Sequence, residues 1–283
     1  MNFIDFGNTP FTKSSETGAH PIRLNWRCEI LLTRNKQAIE GKRILDLASH
    51  DGRFSYACLK LGAKHVIGVE ARKHLVNHSK KNLDNLGYKS KEFEIIQDDI
   101  FNYLPNVEKG KFDTILCFGI FYHTIKQIEL LKEIKRIKPK YLILDTLVET
   151  MFNKKKSKGK QISKNLFRTF KYIWKQKFKV INLNFKELIL KIKNLVIKRT
   201  LRNLMNEKSI GLVFRYEDHK IEGHTIESNN IVAYPTKIFI EYLFKKLGFK
   251  FKRLYWDKKE IKNWDKLLDY KNGKRISYIA QLF

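Results

Sequence analysis

The stretch Gly41-Lys42-Arg43-Ile44-Leu45-Asp46-Leu47-Ala48-Ser49-His50-Asp51-Gly52 decides the reading of this chain. Its apolar run, Ile44 to Leu47, has the length and composition of a buried parallel strand, and it breaks at once into small and polar residues. From there apolar residues recur at Phe54, Ala57, Cys58 and Leu61, the i, i+3, i+4, i+7 spacing of a helix. Strand, tight loop and helix in that order gather backbone N–H groups, the positive end of a helix and one acidic side chain around a crevice. Such a crevice suits a nucleotide-like ligand.

Working outward, His65-Val66-Ile67-Gly68-Val69 is a second apolar strand, and it ends in Glu70. An acid at that tip stands where a ribose offers two hydroxyls to a carboxylate. Phe93 to Gln97 ends in Asp98-Asp99-Ile100, and Phe112 to Cys117 ends in Phe118-Gly119. Four strands thus finish on the side from which helices leave, the ligand-binding edge of an open α/β sheet. A basic helix, Gln127 to Ile137, leads to a fifth parallel strand, Tyr141 to Asp145, with Thr146 at its tip facing the same crevice. Gly211 to Tyr216 reads as a return strand. Thr236 caps a helix that runs to Leu247 and stops at Gly248, and Phe249 to Trp256 and Arg275 to Phe283 read as a closing pair of strands around a polar segment holding Trp264.

Over residues 41–148, with a closing piece at 231–283, these features resemble the cofactor half of a class I S-adenosylmethionine-dependent methyltransferase. That family's E/D-x-G-x-G-x-G phrase falls on Asp46 to Gly52, where only the last glycine stands. The resemblance implies a Rossmann-like fold, a doubly wound, mostly parallel α/β sheet of seven strands with a terminal antiparallel strand, and S-adenosyl-L-methionine as cofactor. The terminal antiparallel pair separates such sheets from those of dehydrogenases. It assigns cofactor binding to Asp46, Ala48, Ser49, Asp51 and Gly52, the ribose to Glu70, the adenine edge to Asp98, Asp99 and Ile100, and the sulfonium border to Phe118 and Gly119. His50 replaces a glycine, so its imidazole must point away from the cofactor or replace a contact to the cofactor's carboxylate. His20, Arg23 and Arg27 are candidates to meet that carboxylate.

Tyr122 and His123, just past a strand end, are the candidate catalytic residues, with His123 as the proton acceptor. The competing reading packs Tyr122 on the sheet and makes His123 a helix cap. Gly119 to His123, with Leu142 to Val148 farther on, also resembles the tRNA wobble-uridine carboxymethoxy-forming and methylating enzymes over a short stretch. The activity expected is methyl transfer to an O or N acceptor, small molecule or RNA. The alternatives are a wobble-uridine type RNA-modifying enzyme or a non-catalytic α/β nucleic-acid-binding module.

At 283 residues and 43% apolar content the chain can form one large α/β domain with an insertion. We expect an arm and cap helix at 1–40, the cofactor half at 41–150, a basic, mainly helical insertion or lid at 151–230, and the closing helix and strand pair at 231–283. The net charge of +28 points to phosphate-bearing or anionic partners, although an AT-rich coding bias would also enrich lysine. Between Met151 and Asn206 seventeen Lys or Arg stand against the single acid Glu187, interleaved with Phe152, Phe167, Phe170, Tyr172, Trp174, Phe178 and Phe185. That pattern fits a base-stacking nucleic-acid surface, a helix with Ile181, Phe185, Leu188, Ile192 and Leu195 on an anionic membrane, or a lid whose lysines are solvated.

Residues 1–16 read as an irregular arm, and Pro21 to Ala38 as a helix with Ile22, Trp26, Ile30 and Leu31 on one face. The loop Glu217-Asp218-His219, with His224 and Asn229-Asn230, is a candidate acceptor pocket. Cys28, Cys58 and Cys117 follow no metal or redox spacing, which points to a reduced cytoplasm. The N-terminal residues lack a signal-peptide pattern, and no apolar stretch approaches the ~20 residues of a membrane span. The sequence carries no signal for oligomeric state.

Overall fold

The computed structural model describes residues 4–15, 17–150, 210–257 and 265–282. The basic stretch from Met151 to Asn206 and Trp264 lie outside the described residues. Five strands pair in parallel: β1 (Arg43–Leu47), β2 (His65–Glu70), β3 (Phe93–Gln97), β4 (Thr114–Phe118) and β5 (Tyr141–Leu147). Next come β6 (Leu212–Tyr216) and β7 (Ile231–Pro235), a separate antiparallel ribbon. The edge strand β8 (Lys250–Arg253) and then β9 (Arg275–Gln281) complete the main sheet, with β9 antiparallel to both β5 and β8. Its order is β3-β2-β1-β4-β5-β9-β8, the expected mostly parallel sheet with a closing antiparallel pair.

Helices cover both faces. They are α1 (Pro21–Leu31), α2 (Arg53–Lys60), α3 (Lys73–Asn85), α4 (Ile100–Tyr103), α5 (Gln127–Ile137), α6 (Lys237–Leu247) and α7 (Leu268–Lys271). Strand side chains alternate between two cores, as the two-residue pleat requires. Ile44, Val66, Ile95, Leu116 and Ile143 join the core holding α1, α2 and α3, and Leu45, Ile67, Ile115, Leu142 and Leu144 join the core holding α5 and α6. Burial on both faces is why these strands read as near-continuous apolar runs. The helix α6 begins and ends as expected: the Thr236 hydroxyl accepts the N–H of Phe239, and Gly248 closes it in the left-handed conformation.

Three features differ from the sequence reading. The helix α1 stops at Leu31 and continues as a 3-10 turn, Thr33–Ala38, and it buries Leu24, Arg27, Cys28 and Leu31 while Ile22 is exposed. The i, i+4 stripe of Leu24 and Cys28 meets the sheet, which turns Ile22 outward and sets Trp26 against Trp256 and Tyr270. The described part of the N-terminal arm is irregular, as expected, and it is packed down, with Phe6 and Phe11 fully buried against Tyr56. The ribbon strand β7 was not anticipated. Residues 210–283 form one compact unit with 1–149. Thr146 is fully buried and is not among the residues lining the cavity at the strand tips, whereas its neighbour Asp145 anchors an ion cluster. Among the described residues no helix is long and apolar enough to cross a membrane. All three cysteines are buried and free.

Candidate functional site

From β1 the sheet grows toward β2 on one side and β4 on the other, so the carboxyl ends of β1 and β4 flank the topological switch point. A cavity of about 300 Å³ opens there, and among its lining residues are Asp46, Ala48, Ser49, Glu70, Phe118, Gly119, Tyr122 and His123. A smaller hollow of about 50 Å³ is lined in part by Asp98, Asp99 and Ile100. The two adjoin, sharing Ala48, Glu70, Arg72, Ile120, His123 and His224.

The loop after β1 keeps a glycine-like backbone without the glycines. Ala48 and His50 both take positive φ, at 52° and 58°. The His50 N–H donates to one Glu70 carboxylate oxygen at 3.0 Å, and the Arg72 N–H donates to the other at 2.9 Å. Glu70 is thereby held at the tip of β2, and each oxygen keeps a lone pair for a further donor. Asp46 is nearly sealed from water and accepts the Ser55 hydroxyl at 2.8 Å; burial pushes its carboxyl up to about 7. Ser49 Oγ is buried and has no partner among the described residues. In the smaller hollow Asp99 caps α4 through the Phe101 N–H, and Asp98 accepts the Asp99 N–H.

Two of the residues assigned to the cofactor do not border either cavity. Asp51 is fully buried and clasped by Arg53 at 2.6 and 2.8 Å and by Ser14 at 2.5 Å. Burial opposes its charge, but His50 and Arg53 hold it well below the usual carboxylate range. It fastens the loop to α2 and to the N-terminal arm. Gly52 is needed for space: a Cβ there would come within 2.3 Å of Ser79 Oγ, at a φ of +85°.

A roof over the site comes from the loop between β6 and β7. Arg72 Nη2 donates to the carbonyls of His224 at 3.0 Å and of Ile221 and Thr225 at 3.3 Å. Glu222 joins His74 at 3.2 Å, His50 at 3.5 Å and the Ser15 hydroxyl. Here the ring of His50 is engaged, with Nε2 3.0 Å from the Thr17 hydroxyl. Although burial works against its charged form, Asp51 and Glu222 raise its pKa above the ordinary value. The acidic and histidine-rich loop therefore divides. Glu217 and His224 turn to the site, while His219 bonds Asn230.

At the other end of the cavity the Tyr122 and His123 rings lie 4.0 Å apart, tilted by 40°, and His123 Nδ1 lies 2.5 Å from Glu217 Oε2. His123 does not cap α5, whose N-cap is Lys126. Arg275 and Arg27 border the cavity and converge on buried Asp145 at 3.0 and 2.7 Å, with Ser277 and Tyr270 completing its acceptor sites. Of the three residues nominated for a cofactor carboxylate, Arg23 and Arg27 line the cavity; His20 instead caps α1. Sequence reasoning missed Arg53, Arg72 and Arg275. Only Arg275 carried a signal, as the first residue of the last strand after a turn glycine.

The methyltransferase-domain family matches residues 39–208. Among curated proteins, the chain is 30% identical over 103 residues to a tRNA U34 carboxymethyltransferase of Campylobacter curvus, covering 34% of this chain and 31% of that one. It is 34% identical over 101 residues to a putative protein N5-glutamine methyltransferase of Methanocaldococcus jannaschii, covering 32% of this chain and 51% of that one. The chain thus spans between about a third and a half of the length of these relatives. Among solved structures, an S-adenosylmethionine-dependent methyltransferase of Mesorhizobium loti superposes with a TM-score of 0.53 at 9% identity, covering 91% of this chain and 99% of that one. The N-terminal domain of EvdMO1, solved in the presence of SAH and D-fucose, does so with a TM-score of 0.55 at 14% identity, covering 89% and 81%. At these identities the two structures speak for the fold.

Proposed function

The chain belongs to the methyltransferase-domain family, and on that premise we propose that it transfers a methyl group from S-adenosyl-L-methionine to an O or N acceptor. One observation carries the reading: the tips of β1, β2, β3 and β4 bring Asp46, Glu70, Asp98, Asp99 and Gly119 to two adjoining cavities at the switch point. When bound, S-adenosyl-L-methionine supplies a methyl already activated by a positive sulfur. Glu70 has oxygens to offer to both ribose hydroxyls, and Asp98, Asp99 and Ile100 would border the adenine. Asp46, buried and ready to ionise, would face the ammonium. Phe118 and Gly119 would flank the sulfonium, and the roof at 221–225 with Thr17 and Gly18 would help to shield it from water. Asp51 and Gly52 act by holding the loop in shape.

For the acceptor, RNA is the first reading, supported by the net charge of +28 and by relatives that include tRNA U34 carboxymethyltransferases. The basic segment 151–206 is its proposed contact surface. A small molecule held beneath the roof is the second reading, favoured by Thr17 and Gly18 of the arm and Gly223 and His224 of the loop, which line the cavity. The three buried thiols suit a cytoplasmic setting. Calorimetry with S-adenosylhomocysteine tests the core of the proposal: it should bind, and Glu70→Ala should abolish binding. Absence of binding to the unaltered chain would leave a non-catalytic α/β module. Labelled-methyl transfer into cell extract, fractionated into RNA, lipid and small molecules, separates the acceptors. An RNA acceptor shows binding that falls steeply with salt.

A further inference from the structure

Glu217 follows directly on β6, 94 positions along the chain from His123, and is 8% exposed. Its Oε2 meets His123 Nδ1 at 2.5 Å and accepts the Thr225 N–H at 3.1 Å, while its Oε1 accepts the Tyr234 hydroxyl at 3.3 Å. Burial disfavours the charge, but His123 and the Thr225 N–H hold the carboxyl below its ordinary value. An ionised carboxylate only accepts, so the proton shared with His123 sits on Nδ1. Neutral His123 then carries its lone pair on Nε2, which has no partner among the described residues. The Tyr122 ring, 4.0 Å away and itself 5.1 Å from Tyr234, restrains rotation. Burial keeps the imidazole below its usual value despite the pull of Glu217, so it is neutral at physiological pH.

Resting on the methyl-transfer reading above, we propose that Glu217 is a positioning residue that fixes His123 as an Nε2 base, and that the methyl acceptor is a hydroxyl. An acceptor O–H gives its proton to Nε2 as its oxygen bonds the methyl carbon. The carbon–sulfur bond breaks with its electron pair left on sulfur, discharging the sulfonium. The products are a methyl ether, S-adenosylhomocysteine and an imidazolium whose charge faces Glu217 until water takes the proton. A free amine attacks through its own lone pair, and an amide N–H is too weakly acidic for imidazole, so an oriented neutral base is matched to a hydroxyl.

Long-range ¹H–¹⁵N spectra of the full chain, labelled at histidine and saturated with S-adenosylhomocysteine, read the tautomer directly, with His123→Asn assigning the signal. His123 should hold its proton on Nδ1, and Glu217→Gln should lower its titration midpoint by about 1 pH unit. A proton on Nε2 in the unaltered chain, or an unmoved midpoint, overturns the pairing. In labelled-methyl transfer into extract, His123→Asn should slow turnover by about 10²-fold or more and Glu217→Gln by about tenfold, with the KM for S-adenosyl-L-methionine unchanged and Glu217→Asp recovering part of the loss. Label recovered on nitrogen overturns the hydroxyl assignment. Failure of S-adenosylhomocysteine to bind overturns the methyl-transfer reading instead, and the tautomer result stands apart from it.

Discussion

Asp46 shows how a binding residue works against the fold that holds it. Its folded value, about 7, lies above the unfolded value near 3.8, so the fold favours the neutral acid. The associated stability is complete below about pH 4 and is lost as pH rises toward 7. Ligand-free Asp46→Asn should therefore be more stable than the unaltered chain above pH 7, by ~2 kcal/mol once partial relaxation of the site is allowed for, since each pH unit separating the two values corresponds to about 1.4 kcal/mol. Denaturant midpoints at high and low pH check this, and calorimetry should show the same variant losing S-adenosylhomocysteine. Gly52 carries the opposite constraint. Gly52→Ala sets a Cβ 2.3 Å from Ser79 Oγ at a positive φ, and it should cost ~1–3 kcal/mol in chemical denaturation. Ala48 and His50 show that the loop accepts side chains at positive φ, the His50 ring being held by Thr17 and Glu222, which is why the glycine pattern reads as incomplete in the sequence.

The β6–β7 loop is an element whose closure depends on charge. Glu222 stands between His50 and His74, and its hydrogen bond to His50 lowers its pKa, while that of His50 is raised. The histidine's contribution is complete below its unfolded value of about 6.5 and disappears as pH climbs past the raised value. The glutamate's is complete above about 4.3 and disappears as pH falls below that. Amide exchange in 221–225, corrected for intrinsic rates, should show most protection between these limits and less by pH 8, and His50→Gln should flatten the profile. The loop's role was half legible: its acids and histidines stood out in the sequence. Which of them turn inward was not, because that depends on Arg72 gathering three of the loop's carbonyls from across the site.

At the scale of the whole molecule, Asp145 ties the N-terminal helix to the last strand of the sheet. It is fully buried and accepts from Arg27 and Arg275, whose charges hold its carboxyl below the ordinary value against burial. Asp145→Asn should leave two buried guanidinium groups short of an anion and destabilise the protein by about 3–5 kcal/mol, read as a lowered denaturant midpoint. A Leu in its place should do no better, since the arginines would remain.

The strands β1 to β5, the helices α5 and α6 and the closing antiparallel pair were legible in the chain itself. Burial on two faces, helical periodicity and capping act between residues a few positions apart, and each leaves a local pattern. The strand tips from Asp46 to Gly119 follow from the same local order, because every parallel strand must present its carboxyl end on one edge. What only tertiary structure decided is which distant side chains share a proton or a charge. Glu217 reaches His123 across 94 positions and Arg275 reaches Asp145 across 130. No periodicity spans such separations, since these contacts exist only after the sheet has set where each loop ends.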